Sequence, residues 1–330
     1  MEFRALLTQR DEAGEVTNRV ERLPIEHLPE GDVLVSVEWA GFNYKDGLCL
    51  GGLGNLVRSY PHVGGVDFAG RVIESRDARY HPGQAVILTG WRVGESHWGG
   101  FAERARVKAD WLVPLPKRLS TRDSMVLGTA GLTVMLAVNR LRLLGIAPQS
   151  GEIVVTGAGG GVGSQAVMML GRLGYRVVAI SGRPELAEPL LRLGASEVLG
   201  RDAIMTQSGK VLDKERFAGA IDTVGGAMLP ELLKKIRSDG AVAAVGNAAG
   251  VSFEASVIPF ILRGVSLLGI NSVTVPYEMR VALWDRLSSL FVAGAYERMV
   301  TEIGLAEIPT YAERILAGGV AGRVVINPRR

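Results

Sequence analysis

The stretch Ile153-Val154-Val155-Thr156-Gly157-Ala158-Gly159-Gly160-Gly161-Val162-Gly163-Ser164-Gln165-Ala166 decides the fold of this chain. An apolar run breaks into glycines and then resumes with helical spacing, so it reads as strand, tight turn and helix. Glycines let backbone N–H groups approach an anion closely, and the following helix directs its positive end at the same point. That combination suits a pyrophosphate, and it makes Gly159, Gly160, Gly161 and Val162 candidate contacts of a dinucleotide. The spacing is Ala158-x-x-Gly161-x-Gly163 rather than G-x-G-x-x-G, because position 162 is Val. A glycine turn with no ligand is the competing reading, and the flanking strand and helix weigh against it.

The next strand selects the dinucleotide. Arg176-Val177-Val178-Ala179-Ile180 reads as the second strand, and Ser181-Gly182-Arg183 stands where an NAD site places an acid on the ribose hydroxyls. An acid would repel a 2′-phosphate, whereas a Ser hydroxyl and an Arg fork bind phosphate oxygens. NADPH is therefore the expected cofactor. Arg201, beyond the strand region Gly194–Leu199, is a candidate for the same phosphate. A helix cap for Arg183 and a solvated surface charge for Arg201 are the alternatives.

With 330 residues the chain is expected to form two domains, and 47% hydrophobic against 22% charged residues excludes a disordered or fibrous chain. The 37 basic and 34 acidic side chains leave a formal charge of only +3 without a long basic tract, so nucleic acid is not an expected partner. Cys49 is the only cysteine, which rules out an internal disulfide and a zinc site built on several thiolates and fits a reducing cytoplasm. No signal peptide is read at the N-terminus, and no run is read as reaching the roughly 18 apolar residues of a membrane helix, so no membrane partner is expected.

Up to residue 124 the chain reads as short strands, among them Asp32–Trp39, Phe68–Ile73 and Gln84–Leu88, separated by Pro- and Gly-marked turns. After Pro116 a long helix is expected over Thr121–Leu144, and strands then alternate with helices through residues 153, 176, 197, 220 and 241. Alternation of this kind means a parallel sheet with crossover helices and a ligand beyond the strand C-terminal ends. A helix over Tyr277–Leu290 and a last strand, Arg323–Ile326, are expected to rejoin the first module. The fold class is thus α/β, with the β-rich domain over 1–124, the nucleotide-binding domain over 125–272 and a return over 273–330.

This order resembles the medium-chain dehydrogenase/reductase superfamily, on its zinc-free quinone oxidoreductase-like branch, and the likeness covers almost the whole chain. It implies a GroES-like catalytic domain beside a Rossmann domain. Asn43-Tyr44-Lys45-Asp46, Leu88-Thr89-Gly90-Trp91, His97-Trp98-Gly99-Gly100, Gly128-Thr129-Ala130-Gly131, Ser181-Gly182-Arg183 and Gly219–Gly225 are similar to the NADPH-dependent acrylyl-CoA reductases, a bacterial group. The resemblance implies reduction of acryloyl-CoA to propionyl-CoA and a homodimer. Zinc-using relatives carry Cys where Asn43 stands and Gly-His-Glu where Gly65-Val66-Asp67 stands, so no catalytic metal is expected. The four histidines, His27, His62, His81 and His97, show no metal-ligand spacing.

Without a metal, the charge that a hydride pushes onto a thioester oxygen must be met by hydrogen-bond donors, and the α-carbon needs a proton. Asn43 and Tyr44 remain donors at neutral pH. The resemblance makes Tyr44 a nicotinamide contact and candidate proton donor, and Asn43 and Asp46 orienting groups; a loop cap is the plainer reading of Asp46. Arg323 is implied as a contact of cofactor or substrate carbonyl, with a solvated strand-end arginine as the alternative. Asn247, Ile261 and Ser272 match positions lining the nicotinamide half. Arg58, Arg92, Arg263, Arg280 and Arg286 are available for the phosphates of CoA, but no motif assigns them. A quinone or enone reductase, and an NADPH-binding protein without chemistry, are the rival functions.

Overall fold

The computed structural model describes residues 1–206 and 209–330. The chain divides into two compact units, one made of Met1–Leu132, Ser272–Ser289 and Val300–Arg330, the other of Thr133–Asn271 and Leu290–Met299. Relative to the boundaries expected from the sequence, residues 125–132 and Ser272 lie in the first unit and 290–299 in the second.

Alternating apolar residues build the first unit's main sheet. Val33, Val35 and Val37 on the strand Val33–Phe42 are fully buried, and that strand pairs antiparallel with both Asp67–Ser75 and Arg104–Val107. The sheet continues through Ala85–Thr89 to Leu112–Pro114 on one side. On the other side comes Arg323–Ile326, with Val324 opposite Phe42 and Ile326 opposite Ala40. The expected return of the last strand is thus present, and its register brings Arg323 to the level of Asn43. A second sheet of Val16–Pro24, Glu2–Arg10 and His62–Val63 covers a core containing Phe3, Leu6, Phe42, Phe68 and Phe101. Each such side chain contributes about 1.5–3 kcal/mol by leaving water.

The second unit holds six parallel strands in the order Glu197–Leu199, Arg176–Ile180, Glu152–Val155, Phe217–Asp222, Ile236–Ala244 and Ser266–Gly269. Strands covered on both faces read as continuous apolar runs, and Ile153, Val154 and Val155 are all fully buried. The strand order reverses at Glu152–Val155, the first strand of the sheet. The quoted glycine turn leaves that strand at its C-terminal end, where such sheets bind ligands.

Two expectations need correction. The helix Thr121–Leu143 is not continuous: Gly128 (φ 51°, ψ −152°) interrupts it. The same segment is also long and apolar enough to cross a membrane by length and hydropathy, contrary to the sequence reading, but 78% of its apolar window is buried inside the fold. A buried core helix passes the same test as a membrane span.

Candidate active site

The turn after Glu152–Val155 is built from backbone. Gly157 has φ 58°, and Gly160 N–H closes the turn onto the Gly157 carbonyl at 3.0 Å. The helix Gly161–Arg172 starts at once. A Cβ on Gly163 would stand 2.2 Å from the Gly157 carbonyl oxygen, and one on Gly159 would stand 2.5 Å from Leu186 Cδ1. At Gly163 only glycine allows that approach of helix to strand; the first N–H groups of a helix have no partner within it and are available to an anion.

At the end of Arg176–Ile180, the Ser181 hydroxyl accepts Arg183 N–H at 3.1 Å, which fixes the turn. Arg201 lies over Gly182, its Nε only 2.5 Å from where a Cβ would be. Ser181, Gly182, Arg183 and Arg201 are therefore gathered as a cationic corner with a hydroxyl. These residue types fit a 2′-phosphorylated nucleotide: backbone N–H groups would suit its pyrophosphate, and a guanidinium its extra phosphate.

Two further elements border that turn. The buried Asp222 accepts the Thr156 hydroxyl and Gly225 N–H, tying the neighbouring strand ends together. Gly225 lies beside Asn247, whose Cα would be 3.3 Å from a Cβ there. Ile261 lies on the short helix Ile258–Arg263 and is 68% exposed. Ser272 belongs to the first unit.

A polar cluster occupies the first unit where Val33–Phe42 ends. Tyr44–Leu50 forms a helix, and Asp46 in its first turn accepts Asn43 N–H at 2.8 Å and Val66 N–H at 2.9 Å. The Asn43 side-chain amide donates to Asp46 at 3.3 Å and to Asp67 at 3.1 Å, while its oxygen accepts Arg323 at 3.0 Å. Both amide hydrogens thus face carboxylates inside the chain. The sequence offered Asn43 as a donor to substrate as well as an orienting group; this geometry supports the orienting role only.

Arg323 is enclosed at 2% exposure and donates to the carbonyls of Phe42, Met125 and Val126. It joins the strand Val33–Phe42 to the helix that Gly128 interrupts. Asp67, not selected from the sequence, completes the group by accepting Thr129 N–H at 2.6 Å, a group freed by the break at Gly128. A Cβ on either Gly41 or Gly128 would collide with both Asp67 and Arg323. The signal for Asp67 was its place in Gly65-Val66-Asp67, which marked the loss of a metal ligand and left open what the carboxylate does instead.

Burial and the neighbouring Asp67 charge push the Asp46 carboxyl up to about 7, against the pull of hydrogen bonds from Asn43 and Val66. Tyr44 contrasts with this group: it is half-buried, and among the described residues its hydroxyl has no hydrogen-bond partner. It is the ionisable side chain at this loop left available to a ligand. Cys49, behind the loop, is buried, and burial with the Asp46 and Glu95 charges pushes its thiol up to about 12.

The family model described as alcohol dehydrogenase GroES-like domain matches residues 29–117, and that described as zinc-binding dehydrogenase matches 161–289. The chain is 50% identical to acrylyl-CoA reductase AcuI of Ruegeria pomeroyi, over 98% of this chain and 99% of that one. The crystal structure of the yhdH oxidoreductase of Salmonella enterica in complex with NADP is similar at TM-score 0.94 and 47% identity, covering 99% of both chains. That of Bacillus subtilis yhfP with NAD bound is similar at TM-score 0.93 and 45% identity, again over 99% of both.

The zinc in the second model's description does not fit this donor set. Among the described residues no three His, Cys, Asp or Glu side chains are grouped as a metal requires, and the Asn43 oxygen faces a guanidinium. His62 is packed inside with burial lowering its pKa, and His97 meets the Arg106 carbonyl. The glycine turn, the cationic corner and the two matching family models together establish that this chain belongs to the medium-chain dehydrogenase/reductase superfamily.

Proposed function

We propose that the chain is an NADPH-dependent reductase of the C=C bond of an α,β-unsaturated acyl-CoA, converting acryloyl-CoA to propionyl-CoA. The observation that carries this reading is the acid-free corner of Ser181, Gly182, Arg183 and Arg201, in a chain half identical over its length to an enzyme named for that reaction. Gly159, Gly160, Gly161 and Val162 hold the pyrophosphate, and Ser181, Gly182, Arg183 and Arg201 hold the 2′-phosphate. Asn247, Ile261 and Ser272 are assigned to the nicotinamide end. When bound, NADPH supplies a hydride to the β-carbon.

The residues of the first unit manage the charge and the proton. Tyr44, with an unengaged phenol, stabilises the thioester oxygen as charge arrives and gives a proton to the α-carbon, then recovers one from water. The electron pair of the C=C bond forms the new C–H bond at the α-carbon. Asn43, Asp46 and Arg323 are positioning residues: they fix the backbone on which Tyr44 stands, because their polar groups are engaged with one another.

The partner implied beside the substrate is a second copy of the chain. Among the described residues the edge strand Ser266–Gly269 has one unpaired side, and in the segment that precedes it in sequence Val257 and Leu262 are 64% and 68% exposed. A reducing cytoplasmic setting is supported by the single buried thiol, Cys49.

A steady-state panel tests the function: acryloyl-CoA, free acrylate and a simple quinone, each with NADPH and with NADH. Saturation by acryloyl-CoA at low concentration with NADPH is expected. Preference for the quinone, or turnover of nothing despite NADPH binding, would replace this reading by one of its rivals.

A further inference from the structure

Arg280 is among the largest fully buried side chains of the protein, at 1% exposure, and among the described residues no carboxylate is paired with it. One terminal nitrogen donates to the Thr89 carbonyl and hydroxyl, both at 2.7 Å. The other reaches the carbonyls of Ser272, Val273 and Val275 at 3.3–3.5 Å. The guanidinium also stands 5.1 Å from the Trp91 ring centre. Burial alone pulls its pKa down to about 10.

An apolar side chain of similar length would fill this space without the desolvation cost of an unpaired cation. What it would not do is gather oxygens from two remote segments. Thr89 ends a strand and lies opposite Asp67, while Ser272–Val275 is where the chain re-enters the first unit. The segments touch directly as well: Trp91 N–H donates to the Val273 carbonyl at 2.9 Å, and a Cβ on Gly90 would stand 2.6 Å from that oxygen. A planar fork with donors on both sides suits this geometry better than the single ammonium of lysine.

We propose that Arg280 is a positioning residue for the reaction, holding the Ser272–Val275 strap against the Thr89–Trp91 turn so that Ser272 is presented in one fixed orientation. The inference rests on the enzyme reading above, in which Ser272 belongs to the nicotinamide end. It also removes Arg280 from the arginines available to CoA, since the fork is turned inward. Nucleotide affinity resides chiefly with the phosphate-binding residues of the second unit. Loosening the strap therefore alters the orientation of reacting groups more than it alters binding.

Arg280→Met and Arg280→Lys test this in the full-length protein. The expected result is a fall in kcat on the order of tenfold or more in both variants, as small misplacements of reacting groups produce. NADPH affinity by fluorescence titration should change little, and the deuterium isotope effect on kcat with NADPH labelled at the transferred position should rise. Arg280→Lys decides the matter if the Met variant does not fold. A lowered melting temperature with unchanged kcat and isotope effect, or kcat and NADPH affinity falling in proportion, overturns the proposal. Wild-type protein assayed alongside separates the two readings: no turnover of acryloyl-CoA there refutes the enzyme assignment, whereas normal wild-type turnover matched by the Lys variant refutes only the role of Arg280.

Discussion

The two units of the chain carry polar features built on opposite principles. In the second unit five of the seven residues from Gly157 to Gly163 are glycines, and the helix Gly161–Arg172 begins inside the turn. In the first unit Asn43, Asp46, Asp67 and Arg323 engage one another's polar groups. The glycine turn carries few side chains, whereas the cluster of the first unit is closed upon itself, leaving Tyr44, among the described residues, as the unengaged donor of its loop. The difference teaches that polar residue types gathered in a cluster are not by themselves reacting groups.

The largest effect expected is at the glycine turn. Gly163→Val places carbon atoms against the Gly157 carbonyl, where even a Cβ would come within 2.2 Å, so NADPH binding should be lost by titration while circular dichroism registers the damage to the helix packing. Binding at wild-type strength would show that the turn does not need its glycines. Tyr44→Phe comes next. Removing a general acid lowers turnover by roughly 10²–10⁴, and NADPH affinity should stay as it was; an unaltered kcat would move the proton source to water or another group.

Arg201→Ala is a smaller perturbation, testing the second unit alone. The KM for NADPH should rise on the order of tenfold, by loss of a charge-assisted contact worth about 1.5–3 kcal/mol, with the KM for NADH unmoved. Equal effects on both nucleotides would detach Arg201 from the 2′-phosphate.

The remaining expected effect is on stability rather than on turnover, and it concerns the polar cluster of the first unit and pH. Asp46 titrates near 3.8 when unfolded and is raised to about 7 when folded, so the folded chain holds its proton more tightly. Stability tied to this group is greatest below the unfolded value, falls as pH rises from about 4 to 7, and is constant above that. Against Asp46→Asn, the wild type should therefore gain stability on acidification within that window, by up to about 1.4 kcal/mol per pH unit. Denaturant midpoints of the two proteins at pH 5 and pH 7 measure it; a pH-independent difference would mean that Asp46 is not raised.

The contrast between the units also explains what could be read in the sequence. The local structure of the glycine turn was legible because its determinants are local: Ile153–Ala166 contains strand, turn and helix, and Ser181-Gly182-Arg183 sits at the next strand end. Arg201 was reachable because the following strand, Glu197–Leu199, returns it to Gly182. In the first unit only the Asn43–Asp46 reach-back is local, at the i, i+3 spacing of a helix start. Arg323 meets Asn43 across 280 positions, a pairing set by the register of Val324 with Phe42. The break at Gly128 was hidden because the apolar spacing of Thr121–Leu143 continues through it, and the Thr129–Asp67 contact that it permits was hidden with it. Nothing local distinguishes Arg280, fully buried, from the exposed Arg58 or Arg92.

The central claim is that this chain joins a nucleotide hydride and a solvent-derived proton across one acyl-CoA double bond. Mass spectrometry of the product formed from acryloyl-CoA tests it directly, with NADPH deuterated at the transferred position in one run and D₂O as solvent in another. The account predicts propionyl-CoA carrying one deuterium at the β-carbon in the first run and one at the α-carbon in the second, with one NADPH oxidised per product. NADPH consumed without propionyl-CoA, or a β-carbon label drawn from D₂O, would contradict it.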